Sequence, residues 1–539
     1  MKICGKLVDI HNRDIYTVCI HVRKGKIIKI ERTKSVPDLY ILPGLIDAHI
    51  HVESSMITPG TFACTALKHG TIGVVADPHE IANILGIKGI NFMIRDGLKV
   101  PMKFWFGASP CVPATDFETN GAALTYIEIE KLLKRKEIKY LAEVMNFPGV
   151  IYNDKEIHRK LDIAKRLGKP IDGHAPGLSG EMLRKYVFSG ISTDHECSTI
   201  EEAEEKIALG MKILIREGSA ARNLNSLKKL FYSHPEILML CSDDLHPEML
   251  INRHINKLVA GLISEGFNVF DIIRSATINP VTHYNLEAGL LKESDAADFI
   301  LVNNLKEMDV LETWINGIKV FDNGKLNFTY TAGRTINKFN CHPICENDIK
   351  VISKDVKMRV IEAFDGELLT KEMFWNCNKN DIVKSDLPND ILKIVVKDRY
   401  NDSSPVTGFI KGFGLKKGAF AGSIAHDSHN LISIGTNDSD IVKSINEIVK
   451  MKGGLAISYE GKVKSLQLNI GGIMTTRSCA DVANDYEGLN ALIKSLGCTM
   501  IAPFMTLSFM ALLVIPDLKI GDHGLFDVKK FELVPLFVE

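Results

Sequence analysis

Two histidines one residue apart end the first long apolar run of the chain. His49 and His51 close the segment 43–51, and residues two apart on a strand point to the same face. Both imidazoles can therefore aim at one point beyond the strand end, a geometry typical of metal ligands. Alone, a His-x-His pair fits an ordinary polar strand end about equally well, so the groups that could join it decide the interpretation.

Four such groups follow, each at the end of its own apolar run: Glu143, His174, His195 and Asp243. Nitrogen and oxygen donors without thiolate suit Zn, Mn or Fe. With the histidine pair, they predict a site for one or two divalent cations. A cation pair would activate a water, and Asp243 would be both a ligand and a proton shuttle.

Each assignment has an ordinary alternative. Glu143 lies inside an apolar run, where it needs a cation or strong donors, but it could be a salt-bridged core acid. His174 could be a turn histidine, and His195 could bond its own acidic neighbours. At the last run we prefer Asp243 to Asp244, because the first acid after the run lies nearest the strand end.

The elements that must position these residues alternate along the chain. Helix signals separate eight apolar runs: 44–51, 71–77, 103–109, 139–146, 170–174, 191–195, 211–216 and 237–243. Eight strand–helix units in about 240 residues predict an α/β fold, a (β/α)8 TIM-like barrel. Functional residues of such barrels lie at the C-terminal ends of strands, and every candidate ligand occupies such an end.

The flanks of the barrel read as short strands and turns. We predict a small β-domain built from both flanks (residues 1–45 and 291–344), the barrel itself (46–290) and a C-terminal α/β or α+β domain (345–539). The last domain contains a charge-free segment, 498–516, interrupted by prolines and hydroxyl residues. We interpret it as a buried strand and helix rather than a membrane span.

Composition excludes several classes of protein. The 539 residues are 45% hydrophobic and 24% charged, with a formal net charge of −1, so bulk charge indicates no nucleic-acid or membrane partner. Eleven scattered cysteines without a Cys-x-x-Cys pair fit reduced thiols. We therefore predict a cytoplasmic protein and leave its oligomeric state open, a homo-oligomer included.

Further polar residues are expected around the barrel mouth. Glu80 follows the second strand and could donate a proton or bond substrate, or could simply be a helix N-terminal acid. Glu53, after the histidine pair, is similarly ambiguous. The cluster 426–430, which includes His426, Asp427 and His429, is either a hydrogen-bonded turn or part of a site; we predict that its domain covers the barrel mouth.

Several longer segments of the sequence resemble segments of a known family. The segment 43–51 resembles the amidohydrolase superfamily. The strings 51–56, 76–83, 143–150, 172–176, 241–244 and 425–430 together resemble the bacterial adenine deaminases of that superfamily, and the likeness covers nearly the whole chain.

The resemblance implies hydrolysis of adenine to hypoxanthine and ammonia, by a metal-activated hydroxide attacking C6. It implies a binuclear site with Mn²⁺ or Fe²⁺, Zn²⁺ being less favoured, in which Glu143 bridges in place of the carboxylated lysine of many relatives. The matching metal positions are His49, His51, Glu143, His174, His195 and Asp243. We expect catalytic roles for Asp243, Glu80 and His195, and substrate contacts from Glu53, His79, Asp244 and His429.

Two other functions stay open on the sequence. One is a different amidohydrolase acting on a cyclic amide, such as a dihydroorotase or hydantoinase. The other is a non-catalytic barrel used as a scaffold, which the complete set of candidate ligands argues against.

Overall fold

A computed structural model describes residues 1–219, 221–354, 357–377 and 381–538. The chain forms two compact units. The first comprises Met1–Pro78, Asn91–Cys111 and Leu124–Gly333, and the second comprises His79–Ile90, Val112–Ala123 and the residues from Arg334 onward. The second unit is thus assembled from three separate stretches of chain. The three-domain boundaries given above stay a prediction.

The first unit is rich in strands. In chain order they are β1 (Lys2–Asp9), β2 (Asp14–Arg23), β3 (Lys26–Arg32), β4 (Tyr40–Pro43), β5 (Leu45–His51), β6 (Thr71–Ala76), β7 (Lys103–Ala108), β8 (Ile138–Val144), β9 (Ile171–Gly173), β10 (Thr193–Asp194), β11 (Lys212–Arg216), β12 (Leu238–Cys241), β13 (Asp243–Asp244), β14 (Phe299–Val302), β15 (Val310–Ile315), β16 (Ile318–Asp322) and β17 (Lys325–Leu326).

Strands from both flanks of the barrel form one eight-stranded sheet, in the order β17-β16-β15-β14-β4-β1-β2-β3. The join is the antiparallel pairing of β14 with β4. Alternate apolar side chains from both flanks, such as Val18, Ile41 and Phe299, pack in one core. The period-two pattern of the sequence therefore buries one face of this sheet.

One cysteine expectation is wrong. Cys4 on β1 and Cys19 on β2 are joined by a disulfide, whereas reduced thiols were expected throughout. The register of the hairpin sets the two residues directly opposite each other, with a Cα–Cα distance of 4.0 Å. Cysteine spacing alone does not reveal such a pair, because it is created by strand register.

The barrel strands form two parallel sheets. The last barrel strand contributes one segment, β12 or β13, to each of them. One sheet has the order β13-β5-β6-β7-β8-β9 and the other has the order β10-β11-β12. Strand eight is split at Ser242, so that β12 pairs with β11 while β13 pairs with β5. On the opposite side, the amide of Ser192 donates to the carbonyl of Ile171 at 2.9 Å. The predicted (β/α)8 fold is confirmed.

Helices follow the barrel strands and complete both units: α1 (Pro59–Ala66), α2 (His79–Leu85), α3 (Ile87–Gly97), α4 (Tyr126–Leu133), α5 (Phe147–Ile151), α6 (Lys155–Arg166), α7 (Gly180–Phe188), α8 (Ile200–Ala208), α9 (Leu224–Leu227), α10 (Pro247–Asn252), α11 (Ile255–Ser264), α12 (Val269–Ser275), α13 (Ile278–Tyr284), α14 (Asp438–Met451), α15 (Cys479–Ser495) and α16 (Pro503–Phe509). Short 3-10 turns lie at Val52–Ser55, Leu67–His69, Lys228–Tyr232, Glu346–Ile349 and Leu387–Asn389. Side-chain caps fix several starts; Thr125 and Glu128 form a capping box at α4.

The second unit contains the remaining strands: β18 (Lys357–Ala363), β19 (Thr370–Asn376), β20 (Ile391–Lys397), β21 (Val406–Lys411), β22 (Ala419–Gly422), β23 (Leu431–Gly435), β24 (Gly454–Tyr459), β25 (Lys462–Gln467), β26 (Leu518–Gly521), β27 (Gly524–Asp527), β28 (Glu532–Val534) and β29 (Phe537–Val538). The main sheet has the order β19-β18-β21-β20-β23-β22-β24-β25, with β29 beside β18. Ile441, Ile445 and Ile448 of α14 pack on it.

The charge-free segment 498–516 contributes to the core of this unit. It contains α16, whose seven residues are all buried. The strand also predicted there is not formed, since residues 498–502 have no regular structure. Over the described ranges, none of the helices has both the length and the apolar character that a bilayer crossing needs.

Candidate metal centre

Six side chains predicted from strand ends converge in the first unit, and we call them the barrel cluster: His49, His51, Glu143, His174, His195 and Asp243. The rings of His49 and His195 stack with centroids 4.3 Å apart, and the ring of His51 lies 4.9 Å from that of His49. Five of the six residues are buried, and His174 is partly exposed. The rule that barrel strands end in functional residues therefore located the whole cluster.

Glu143 lies between histidines from three strands. Its Oε1 is 3.5 Å from Nε2 of His51, while its Oε2 is 2.9 Å from Nδ1 of His174 and 3.1 Å from Nε2 of His195. Burial acts to raise the pKa of this carboxyl, but the facing His174 and His195 hold that pKa well below its usual range. The two oxygens of one ionised carboxylate thus face different donors, as a bridging ligand requires.

Asp243 faces the first pair of histidines. Its Oδ1 lies 3.2 Å from Nε2 of His51 and 3.4 Å from Nε2 of His49. Burial acts to raise the pKa of Asp243, but the Arg216 guanidinium holds that pKa well below its usual range. Asp244 accepts a hydrogen bond from the Ser54 hydroxyl at 2.5 Å, and it also forms a group with His51 and Asp243 whose ligand atoms lie within 4.8 Å of one another. The preference for Asp243 over Asp244 stays a prediction.

The donor atoms fit a divalent cation. Two overlapping sets, His49/His195/Asp243 and Glu143/His174/His195, each have their ligand atoms within 4.8 Å of one another. Among the described residues neither ring nitrogen of His49 has a hydrogen-bond partner, although the ring is fully buried. Burial and the nearby His195 lower the pKa of His49. A buried neutral imidazole without a hydrogen-bond partner is suited to a metal ion, which would satisfy it.

Sequence reasoning missed two charged residues beside this cluster. Arg216, the last residue of β11, donates to Glu196 through both Nη1 and Nη2, and through Nη1 to Oδ2 of Asp243 at 2.8 Å. Glu196 follows His195 directly and lies 3.3 Å from that ring. Arg216 is the last residue of its apolar run, a position where barrel proteins place functional residues. The sequence analysis considered only possible metal ligands at such positions.

A buried polar network connects β5 with the junction between β12 and β13. Asp47 accepts hydrogen bonds from the amide and the hydroxyl of Ser242 and from Nε2 of His254. The other ring nitrogen of His254 lies 2.7 Å from the hydroxyl of Thr71. The network fixes the break in strand eight at which Asp243 takes a positive φ of 58°.

Glu53 is buried in the 3-10 turn that follows β5. The turn comes directly after His51, whose Nδ1 lies 3.1 Å from the carbonyl of Asp77. That contact assigns the proton to Nδ1 of His51 and leaves Nε2 as the nitrogen that faces Glu143 and Asp243.

The second unit contains its own cluster, Glu80, His426, Asp427 and His429, which we call the second-unit cluster. Nδ1 of His426 lies 3.1 Å from Oε1 of Glu80, and Nε2 of His429 lies 3.6 Å from Oε2. The predicted residue His79 has its Nε2 3.9 Å from Oδ1 of Asp427. The three residues predicted here from sequence, His79, Glu80 and His429, are therefore brought together, and His426 was named only as part of its turn.

The surroundings of this cluster set the protonation states of Glu80 and His429. Burial acts to raise the pKa of Glu80, but His426 and His429 lower it, so the carboxyl is ionised. Burial lowers the pKa of His429 to about 3, which makes that ring neutral. His426 lies nearer to Glu80 than His429 does, and its ring stacks on Phe509 at a centroid distance of 4.9 Å.

Two known families match the sequence. Residues 40–320 match the family described as "Amidohydrolase family", and residues 367–532 match the "Adenine deaminase C-terminal domain". Among solved structures, a dihydropyrimidinase from Brevibacillus agri NCHU1002 aligns with 61% of this chain and 96% of its own, with 14% sequence identity and a TM-score of 0.47. The matched families together span most of the chain, from the β-domain to the second unit.

Curated relatives match over the full length. The adenine deaminase of Methanosarcina mazei is 48% identical, covering 100% of both chains. That of Methanosarcina barkeri is 49% identical over 99% of this chain and 98% of its own, and that of Salinibacter ruber is 45% identical over 100% and 99%. The chain is a member of the amidohydrolase class of metal-dependent hydrolases. Within that class it belongs to the adenine deaminase family.

Proposed function

We propose that this protein hydrolyses adenine to hypoxanthine and ammonia. The observation that carries the proposal is the complete barrel cluster, in a chain whose relatives named adenine deaminase align over its whole length. A scaffold protein would have no need of six convergent donors. The curated relatives that align over the full length are named adenine deaminase, and none of those described above is named for a cyclic-amide substrate.

We further propose that the barrel cluster holds two cations, Mn²⁺ or Fe²⁺, with Glu143 between them. Imidazole and carboxylate donors without thiolate favour these ions. A bound cation of this kind lowers the pKa of a coordinated water, so that a nucleophile is available near neutral pH. The remaining chemistry falls to the side chains of the chain.

Asp243 is the proposed acceptor of the proton of the water that adds to C6 of adenine. Its Oδ1 faces the metal ligands, so it can take that proton and then deliver it to the amino nitrogen. N1 gains a proton as the C6–N1 double bond opens. The C6–N6 bond then breaks and ammonia leaves. The C6 hydroxyl loses its proton as the carbonyl forms, which replaces the proton given to N1, and hypoxanthine remains, so that one water is consumed for each ammonia released.

Glu80 is the proposed source of the proton for N1. Because its pKa is lowered, the proton must reside on the Glu80–His426 pair rather than on the carboxyl alone. His195 stays a candidate catalytic residue. Glu53, His79, Asp244 and His429 stay candidate purine contacts, and the cytoplasmic location stays a prediction from composition.

The direct test uses the full-length protein, stripped of metal with a chelator and reloaded with Mn²⁺. We expect ammonia release and a shift of the purine absorbance with adenine, and no turnover of dihydroorotate or hydantoin. The chelated protein should be inactive until manganese returns. Turnover of a cyclic amide without turnover of adenine would replace the proposal with the alternative.

A further inference from the structure

The side chain of Arg216 makes more hydrogen bonds than a single ion pair would provide. It is the last residue of β11, and its side chain is 6% exposed. Nη1 and Nη2 donate to the two oxygens of Glu196, Nη1 also donates to Asp243, and Nε donates to the carbonyl of Ala221 at 2.6 Å. One guanidinium therefore connects two carboxylates at the edge of the barrel cluster.

Glu196 is placed as a metal ligand would be. Its Oε1 lies 3.5 Å from Nδ1 of His174 and 3.3 Å from Nε2 of His195. Those are the same two nitrogens that face Oε2 of Glu143, at 2.9 and 3.1 Å. The cluster thus offers a second carboxylate to the same pair of histidines. A bidentate arginine occupies both oxygens of that carboxylate.

The same arginine binds only one of the two carboxylate oxygens of Asp243. Oδ2 accepts from Nη1 of Arg216 at 2.8 Å, while Oδ1 faces His49 and His51. The backbone at Asp243 is fixed separately, through the Ser242 contacts with Asp47. With its backbone and one oxygen held, the carboxylate can present only Oδ1 toward the donors of the cluster.

We propose that Arg216 is a positioning residue that selects which carboxylate oxygens face the cation. It keeps Glu196 out of the ligand set and leaves Oδ1 of Asp243 for the proton transfer; the second half of this inference rests on the proposed function. Arginine suits the task because its planar fork binds a carboxylate bidentately, which a lysine cannot do. Glu196 in turn offsets the positive charge of Arg216, which would otherwise repel a cation.

The test compares four variants of the full-length protein: Arg216→Met, Arg216→Lys, Glu196→Gln and the double variant Arg216→Met/Glu196→Gln. Each is loaded with Co²⁺, whose visible absorption reports its ligands, and is also assayed with adenine after Mn²⁺ loading. Arg13→Lys is the matched control, because Arg13 forms a bidentate pair with Asp271 on the same unit but away from the cluster.

In Arg216→Met we expect an altered Co²⁺ spectrum, because the released Glu196 joins the ligands. We expect kcat to fall about 10–100-fold, with KM within about twofold. The double variant should regain the wild-type spectrum, since an amide does not replace the carboxylate, yet keep the low kcat, because Asp243 is no longer held. Arg216→Lys should change the spectrum in the same direction but less. Arg13→Lys should change neither quantity.

A wild-type Co²⁺ spectrum together with wild-type kcat in Arg216→Met would overturn the proposal. If that variant does not fold, Arg216→Lys decides in the same way, and a wild-type spectrum and kcat there overturn it. A spectrum that stays altered in the double variant would also overturn it, because Glu196 would then not be the incoming ligand. Failure of the wild-type protein to deaminate adenine, with the spectral changes intact, would instead refute the proposed function alone.

Discussion

The barrel cluster and the second-unit cluster combine the same side chains for different purposes. In the barrel cluster, Glu143 faces three histidines from different strands, and Asp243 faces the two histidines of β5. In the second-unit cluster, Glu80 faces two histidines from one turn, and one of these, His426, is stacked on Phe509 and lies beside Asp427. A carboxylate shared among several histidines suits a cation, whereas a carboxylate beside a histidine suits proton transfer.

The largest effect should come from removing the shared carboxylate. Glu143→Gln should abolish most metal binding and lower kcat/KM by about 10⁴-fold or more, since a neutral amide cannot hold two cations. Metal analysis of the purified variant and adenine turnover measure both effects. Full metal content with near-normal turnover would show that the barrel cluster does not depend on a bridging acid.

Asp243→Asn should separate metal binding from chemistry. The amide keeps a ligand oxygen but cannot accept a proton, so much of the metal should stay while kcat falls by about 10³–10⁴-fold. Asp244→Asn is the matched control and should keep most activity. The reverse result, with Asp244→Asn inactive and Asp243→Asn active, would mean that the shuttle is the neighbouring residue.

Glu80→Gln tests the second-unit cluster. We expect kcat to fall about 10²-fold through loss of general acid catalysis, with the metal content of the barrel cluster unchanged. His426→Gln should produce a similar loss if the proton is shared by the pair. Loss of metal in Glu80→Gln would erase the contrast between the clusters, because both would then serve cations.

His429→Ala should have a smaller effect. The ring is neutral and is a candidate purine contact, so we expect KM to rise about tenfold with kcat changed less. His342→Ala is a suitable control, since that histidine is exposed and paired with Asp402 elsewhere in the unit. A fall in kcat without change in KM would assign His429 to the proton path instead.

The smallest effect concerns acid stability. The pKa of Glu80 is lowered in the folded protein from its ordinary value of 4.5, so its stabilising contribution is complete above that pH and is lost as pH falls below it. Glu80→Gln should therefore flatten the loss of stability below about pH 4.5 and shift the acid midpoint by under about one pH unit. An unchanged acid unfolding curve would contradict the assigned charge state.

The sequence predicted the fold class and the barrel cluster because both follow from local pattern. Apolar runs locate strands, and polar residues at their ends share one edge of a barrel. Arg216 and Glu196 were missed because they make contacts among the ends of β10 and β11 and the strand β13, which no local spacing encodes. His426 was underrated for a similar reason, since its partner Glu80 lies about 350 residues earlier in the chain.

The three-segment origin of the second unit sets an order of events during synthesis. His79–Ile90 and Val112–Ala123 leave the ribosome before the roughly 210 residues of Leu124–Gly333, and only then does Arg334 appear. At about 5–20 residues per second, the early segments wait roughly 10–40 s for the rest of their unit. Their apolar residues, Ile81 and Ile84 among them, need protection in that interval. A chain that ended before Arg334 would contain these two segments without the rest of their unit. The second unit therefore cannot be added or removed by a gene fusion at one end of the chain.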